Sequence, residues 1–95
     1  MTTIWKTVVC QDELDHGIVV PSDAELLYAR EQHNEVCIWF RCEPSRPQER
    51  RRIKVVGTGH SDCPDGGRYL GSAHLNNGQL VFHVFELDDK RAPAA

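Results

Sequence analysis

No stretch of this chain approaches the ~18–20 consecutive apolar residues that a membrane-spanning helix needs. Its opening residues, Met1-Thr2-Thr3-Ile4-Trp5-Lys6, lack the charged start and apolar run of a secretory signal, so the expectation is a cytoplasmic protein. There is no C-x-x-C, no H-x-x-x-H, no Gly-Lys-Ser/Thr phosphate loop and no G-x-S-x-G elbow. The sequence therefore carries no motif for a zinc centre, a nucleoside triphosphate or a hydrolase nucleophile, and no cofactor is expected. Internal repeats, low-complexity tracts and long linkers are also missing, which with 95 residues implies one core and one domain. Charge of one sign is scarce as well: the net charge is −3 and the pI about 5.9. That excludes a strongly acidic disordered chain and argues against direct nucleic-acid binding.

What is present is ordinary globular composition, 40% hydrophobic and 26% charged, unevenly arranged. Residues 1–35 hold seven acidic groups against two basic ones, whereas residues 36–70 hold seven basic against four acidic. Arg46, Arg50, Arg51, Arg52 and Lys54 crowd into nine positions, and Asp12, Glu13 and Asp15 form an acidic counterpart. Opposed patches of this kind steer encounter with a charged partner. Of the four cysteines, Cys10, Cys37 and Cys42 lie in apolar runs suited to buried, reduced thiols, and Cys63 lies in a loop.

Short segments of alternating polarity separated by turn residues predict about seven short strands, hence an all-β fold: a small antiparallel β-sandwich or partly open barrel over residues 1–87, followed by a flexible tail at 88–95. Thr3–Val9 is β-branched and aromatic, with Trp5 expected to face the core. Ile18–Val20 is ended by Pro21. Residues 22–32 are ambiguous, because Ser22 and Glu25 make a capping box among good helix formers, which would give an α+β fold. His33-Asn34-Glu35, however, reads as a tight turn into Val36–Cys42, and a hairpin there requires 26–32 to be extended. Glu43–Arg50, with Pro44 and Pro47, is expected as a loop and Arg51–Gly57 as a strand, with Ile53 and Val55 on one face and Arg52, Lys54 and Val56 on the other.

Asn76-Asn77-Gly78 predicts a hairpin between Arg68–Leu75 and Gln79–Glu86. Centred on Asn77-Gly78, it sets Leu75, Ala73 and Gly71 opposite Leu80, Phe82 and Val84, and His74, Ser72 and Leu70 opposite Val81, His83 and Phe85. Trp39 and Phe82 are expected in the core. An edge strand left open by so short a chain makes a homodimer by strand pairing possible.

Three constellations carry chemistry. Gly57-Thr58-Gly59-His60 ends a strand with two glycines, so successive amides there, with His60 and Arg68, could hold an anionic ligand or nucleotide. Ser72 opposite His83 with Glu86 nearby supplies the residue types of a hydrolytic triad, though such cross-strand pairs are ordinarily structural. His60 with Cys63, and His74 with His83, are metal-ligand types without diagnostic spacing, better read as partly buried histidines.

Thr3-Ile4-Trp5-Lys6, Gly57-Thr58-Gly59-His60, Tyr69-Leu70-Gly71 and Leu80-Val81-Phe82-His83-Val84-Phe85-Glu86 together resemble a family of small uncharacterised proteins encoded by bacteriophages and prophages. The likeness spans roughly residues 3–86, and the chain departs from it around Cys63 and at Ser72-Ala73-His74. It brings no catalytic residue with it. It implies a non-enzymatic accessory protein that binds and inhibits a bacterial host protein, such as a component of CRISPR or another defence system. Arg50, Arg51, Arg52 and Lys54, with Asp12, Glu13 and Asp15, are the candidate docking residues. The alternative is a small-ligand or nucleotide-binding module built on Gly57, Thr58, Gly59, His60 and Arg68.

Overall fold

The computed structural model describes residues 1–9 and 17–87. Seven strands follow one another: β1 (Thr3–Val8), β2 (Gly17–Pro21), β3 (Glu25–Gln32), β4 (Glu35–Cys42), β5 (Gln48–Gly57), β6 (Arg68–Leu75) and β7 (Leu80–Glu86). They form two antiparallel sheets, β1-β4-β3 and β2-β5-β7-β6, which meet chiefly along β3 and β6 and do not close into a barrel. The all-β expectation holds. Among the described residues no helix is long and apolar enough to cross a membrane.

Residues 25–32 are extended, and the reason lies in the turn. His33 and Asn34 both take positive φ, 54° and 62°, which is the twist that joins two antiparallel strands tightly. Once that turn closes, Leu26 and Ala29 fall opposite Phe40 and Ile38 on the inner face, and the burial gained outweighs the helix propensity of the segment. Val36, Ile38, Phe40 and Cys42 alternate inward along β4, the central strand of its sheet, and are all buried. From the other sheet Ile18, Val20, Ile53, Val55, Ala73, Leu75 and Val84 complete the core.

Trp5 shares the inner face with Phe40, meeting it edge-on at 6.5 Å, yet stays 44% exposed because β1 is the outermost strand of its sheet. Trp39 is not a core residue. It points to the outer face and stacks on Tyr28 with ring centroids 5.1 Å apart. Phe82 is partly buried against the core. The loop before β5 is shorter than expected, since Gln48–Arg50 already pair with Val19–Pro21 and the Ser22 amide donates to the Pro47 carbonyl at 2.7 Å.

The β6–β7 hairpin has the expected register from Leu75/Leu80 to Gly71/Val84. Beyond Gly71 a β-bulge shifts it, so that Tyr69, not Leu70, faces Phe85 and Arg68 faces Glu86. Leu70 is thereby buried and Tyr69 turned outward, 51% exposed. The bulge lies where β6 passes closest to β3: a Cβ on Gly71, whose φ is +141°, would sit 2.5 Å from the Ala29 carbonyl oxygen. The two hairpin tips are latched, the Asn76 amide donating to Asn34 Oδ1 at 2.8 Å and Asn34 Nδ2 to Asn76 Oδ1 at 3.2 Å.

Candidate functional site

The outer face of the four-stranded sheet gathers most of the residues singled out from the sequence. Along β5 the alternation leaves Arg50, Arg52 and Lys54 in one outward row, with Val56 buried at its end. Next to that row, β7 contributes Phe85 and His83 opposite Lys54 and Val56, and β6 contributes Tyr69 and Ser72 opposite Phe85 and His83.

Arg51 does not belong to this row. It is in phase with Ile53 and Val55 and is 1% exposed. Its guanidinium bonds the Glu86 carboxylate, and Nη1 donates to the Ala24 carbonyl at 2.8 Å. Two charges can be held there only because each is paired and hydrogen-bonded. The signal was present in the sequence: the alternation that puts Ile53 and Val55 inside puts Arg51 there too. Arg68 is likewise turned inward, 3.5 Å from Glu86 and donating to the Leu26 carbonyl at 2.7 Å, so it is not part of the Gly57–His60 loop. Asp12, Glu13 and Asp15 lie outside the described residues.

His83 is the centre of the face. Tyr69 Oη lies 2.8 Å from its Nδ1 and Thr58 Oγ1 2.7 Å from its Nε2. Thr58 Oγ1 also donates to the Val81 carbonyl at 3.3 Å. A hydroxyl has one proton to give, so with that proton on Val81 it accepts from His83. In the neutral imidazole this assigns the hydrogen to Nε2 and leaves Nδ1 to accept from the Tyr69 hydroxyl. The donors run one way, Tyr69 to His83 to Thr58 to Val81, over a floor of Val56 and Phe85, with Phe85 5.2 Å from the Tyr69 ring. Sequence reading paired His83 with Ser72 and Glu86 instead. Ser72 lies opposite His83 in register but its hydroxyl meets His74 Nε2 at 3.3 Å, and Glu86 points into the core.

Two clefts flank the Gly57–His60 loop. One, of about 210 Å³, is lined by Val56, Thr58, His60, Cys63, Tyr69 and Phe85 among others, and the second, of about 370 Å³, by Thr58, His60, Leu80 and Phe82 among others. The loop does not present the run of amide donors expected of an anion cradle. The Thr58 amide donates to the Val81 carbonyl at 3.0 Å and the His60 amide to the Gly57 carbonyl at 3.1 Å. Gly59, at φ +87°, makes the turn, with open space on its outer side. At the rim, Lys54 Nζ lies 3.2 Å from Asp62, whose carboxyl is held below its ordinary range by that ammonium.

Cys37, Cys42 and Cys63 are free thiols; burial pushes the first two above the usual thiol range, while Cys63 is exposed. Cys10 lies outside the described residues. Among the described residues no group of three or more His, Cys, Asp or Glu side chains is placed to hold a metal ion.

No curated protein and no solved structure matches the chain. Its likeness is to a family defined by sequence, a domain of unknown function designated DUF7352, which it matches over residues 1–95 and to which it belongs.

Proposed function

We propose that this domain is a non-enzymatic binding module that docks to another protein through the outer face of its four-stranded sheet. The observation that carries this reading is the hydrogen-bonded chain Tyr69–His83–Thr58, which locks an aromatic ring, an imidazole and a hydroxyl onto three separate backbone segments. The Thr58 hydroxyl gives its proton to the Val81 carbonyl and not to His83, so the pair lacks the base-to-nucleophile bond of an activated hydroxyl and the cluster holds a shape. Rigid aromatic and arginine side chains are the groups that dominate protein interfaces, since they bury large area at small entropic cost. The row of Arg50, Arg52 and Lys54 along one margin favours a partner with an acidic patch.

The resemblance to phage and prophage proteins supports a bacterial host protein as that partner, a CRISPR or other defence component among them, with inhibition following from occlusion. The decisive experiment is affinity capture from a bacterial lysate with the wild-type chain and with Tyr69→Ala, Arg52→Glu and Arg30→Glu variants. Arg30 is an exposed residue on the outer face of the other sheet. One host protein retained by wild type and Arg30→Glu, and lost from Tyr69→Ala and Arg52→Glu while both variants keep the wild-type circular dichroism spectrum, is the expected result. Equal capture by all four chains would show that this face is not the docking surface.

A second reading, a small ligand held at the Gly57–His60 loop, draws on the two clefts that flank it. With two of the loop amides spent and Arg68 turned inward, a phosphate finds few donors there, and an aromatic ligand lying against Phe85 or Phe82 fits better. Arg52→Glu separates the readings, because Arg52 lines neither cleft, so the charge reversal should weaken protein docking and leave a ligand held at the loop untouched.

A further inference from the structure

The three-stranded sheet ends in an edge that is poorly defended. β1 is bonded to β4 on one side, and among the described residues no strand lies on the other. It contains no proline and no bulge, and Lys6 is its one charged side chain, whereas the opposite edge of the fold, β2, is short and ends in Pro21. Apolar side chains stand out on both faces of β1: Ile4 at 58% and Val8 at 44% exposure on the outer face, and Trp5 on the inner.

The ladder fixes which backbone groups face outward. The Val9 amide donates to the Val36 carbonyl at 2.8 Å. Bonded and non-bonded pairs alternate along antiparallel strands, so with Val8 opposite Cys37 the residues directed at β4 are Thr3, Trp5 and Thr7. Ile4, Lys6 and Val8 point their N–H and C=O groups at the open edge.

We propose that this edge binds a second copy of the chain, β1 pairing antiparallel with β1 about a two-fold axis at Trp5. Two-fold pairing must set edge-facing residues against edge-facing residues, which centres the register on a residue. Centring on Lys6 sets two like-charged side chains opposite each other, an unfavourable pair even with each ammonium turned across its own sheet to Gln32. Centring on Ile4 or Thr7 overlaps less of the strand. Centring on Trp5 makes Thr3-Ile4-Trp5-Lys6-Thr7 complementary to itself: Thr3 meets the partner's Thr7, Ile4 meets the aliphatic stem of the partner's Lys6, and Trp5 meets the partner's Trp5 in a non-bonded pair, where side chains approach closest. Ile4 and Lys6 exchange their backbone bonds across the axis, and the two sheets become one of six strands. A contact built on one five-residue stretch is smaller than the ~1,200 Å² at which stable interfaces begin, so the dimer forms in a concentration-dependent manner. This edge is remote from His83, and the inference stands apart from the proposed docking face.

Sedimentation equilibrium on the purified chain and on Lys6→Pro tests it. Proline removes an amide that points at the open edge and leaves the ladder to β4 intact. The expected result is a reversible monomer–dimer equilibrium for wild type and a folded monomer for Lys6→Pro. A wild-type monomer up to the solubility limit, or a Lys6→Pro dimer of unchanged affinity, would overturn the proposal. Should Lys6→Pro fail to fold, the register decides through cysteine cross-linking in a Cys10→Ser/Cys63→Ser background. Trp5→Cys is expected to form a disulfide-linked dimer on mild oxidation, while Ile4→Cys, set against the partner's Lys6, is not. Equal cross-linking of both, or of neither, would reject it.

Discussion

Arg51 on β5 and Glu86 on β7 form an ion pair inside the protein, each side chain about 1% exposed. The pair sits at the end of the core where β3 begins, and Arg51 reaches the Ala24 carbonyl while Arg68 reaches both Glu86 and the Leu26 carbonyl. It therefore ties the four-stranded sheet to the first residues of β3 through charge as well as packing. Removing one partner leaves a buried charge with only a longer contact, Glu86 to Arg68 at 3.5 Å or Arg51 to Glu49 at 3.9 Å, so the cost approaches the ~3–5 kcal/mol of a broken buried pair. Arg51→Met and Glu86→Leu alone are each expected to lower the urea midpoint sharply or abolish folding. The double variant, which leaves only the part-buried Arg68 to find a new partner, is expected to lose less than the sum of the two single variants. A double variant as unstable as the sum of the two would show that the pair is not coupled.

Gly71→Ala tests the contact between sheets. The positive φ and the approach of the Ala29 carbonyl both disfavour a side chain, and neither β3 nor the bulged β6 can retreat without breaking its own ladder. A loss on the order of 2–4 kcal/mol is expected from strain and overpacking combined. A melting temperature unchanged from wild type would mean that β6 and β3 are further apart.

Much of this fold is legible in the sequence because its turns are local. His33-Asn34 and Asn76-Asn77-Gly78 supply positive φ by residue type, and each fixes the register of the strands it joins as far as the shifts at Leu26–Tyr28 and Tyr69–Gly71. The bulge at Tyr69–Gly71 is not legible from the hairpin alone, since it answers to β3, a strand forty residues away in the chain, and its consequence is that Tyr69 reaches the outer face beside His83. Alternation likewise places Trp5 on the core side but does not reveal that the second sheet stops short of β1. Arg51 shows the reverse case: it clusters with Arg50 and Arg52 in the sequence, yet its phase with Ile53 and Val55 already points inward. The Thr58–His83–Tyr69 chain joins three segments each visible in the sequence, and only tertiary structure brings them together.

The two adjacent aromatics of β4 should respond differently to truncation. Phe40 is buried among Leu26, Trp5 and the core, whereas Trp39 lies on the outer face against Tyr28. Phe40→Ala is expected to cost about 3–5 kcal/mol. Trp39→Ala should cost distinctly less, about 1–2 kcal/mol, chiefly the lost stacking and part of its burial. Chemical denaturation of both variants checks the order, and equal losses would place Trp39 inside.

The thiols offer a solvent-access test. Cys37 and Cys42 are buried and their thiols are held protonated by desolvation, with Glu43 adding to the effect at Cys42, so iodoacetamide should leave both unmodified in the native protein at mildly alkaline pH. Cys63 is exposed and should react first. In a Cys10→Ser background, mass spectrometry is expected to find one alkyl group under native conditions and three in urea. Early modification of Cys37 would show that the outer face beside β1 opens readily.

The direction of the His83 hydrogen bonds can be read directly. The neutral imidazole is expected in its Nε2–H form, because the Thr58 hydroxyl spends its proton on the Val81 carbonyl and leaves Nδ1 to accept from Tyr69. Long-range nitrogen–proton NMR correlations distinguish the two tautomers. Tyr69→Phe removes the donor to Nδ1 and should change stability by less than about 1.5 kcal/mol, since the site is open to water, while freeing the ring to sample the other tautomer. Observation of the Nδ1–H form in the wild-type chain would reverse the donor order, leaving Tyr69 as an acceptor and its hydroxyl proton free to face a bound partner.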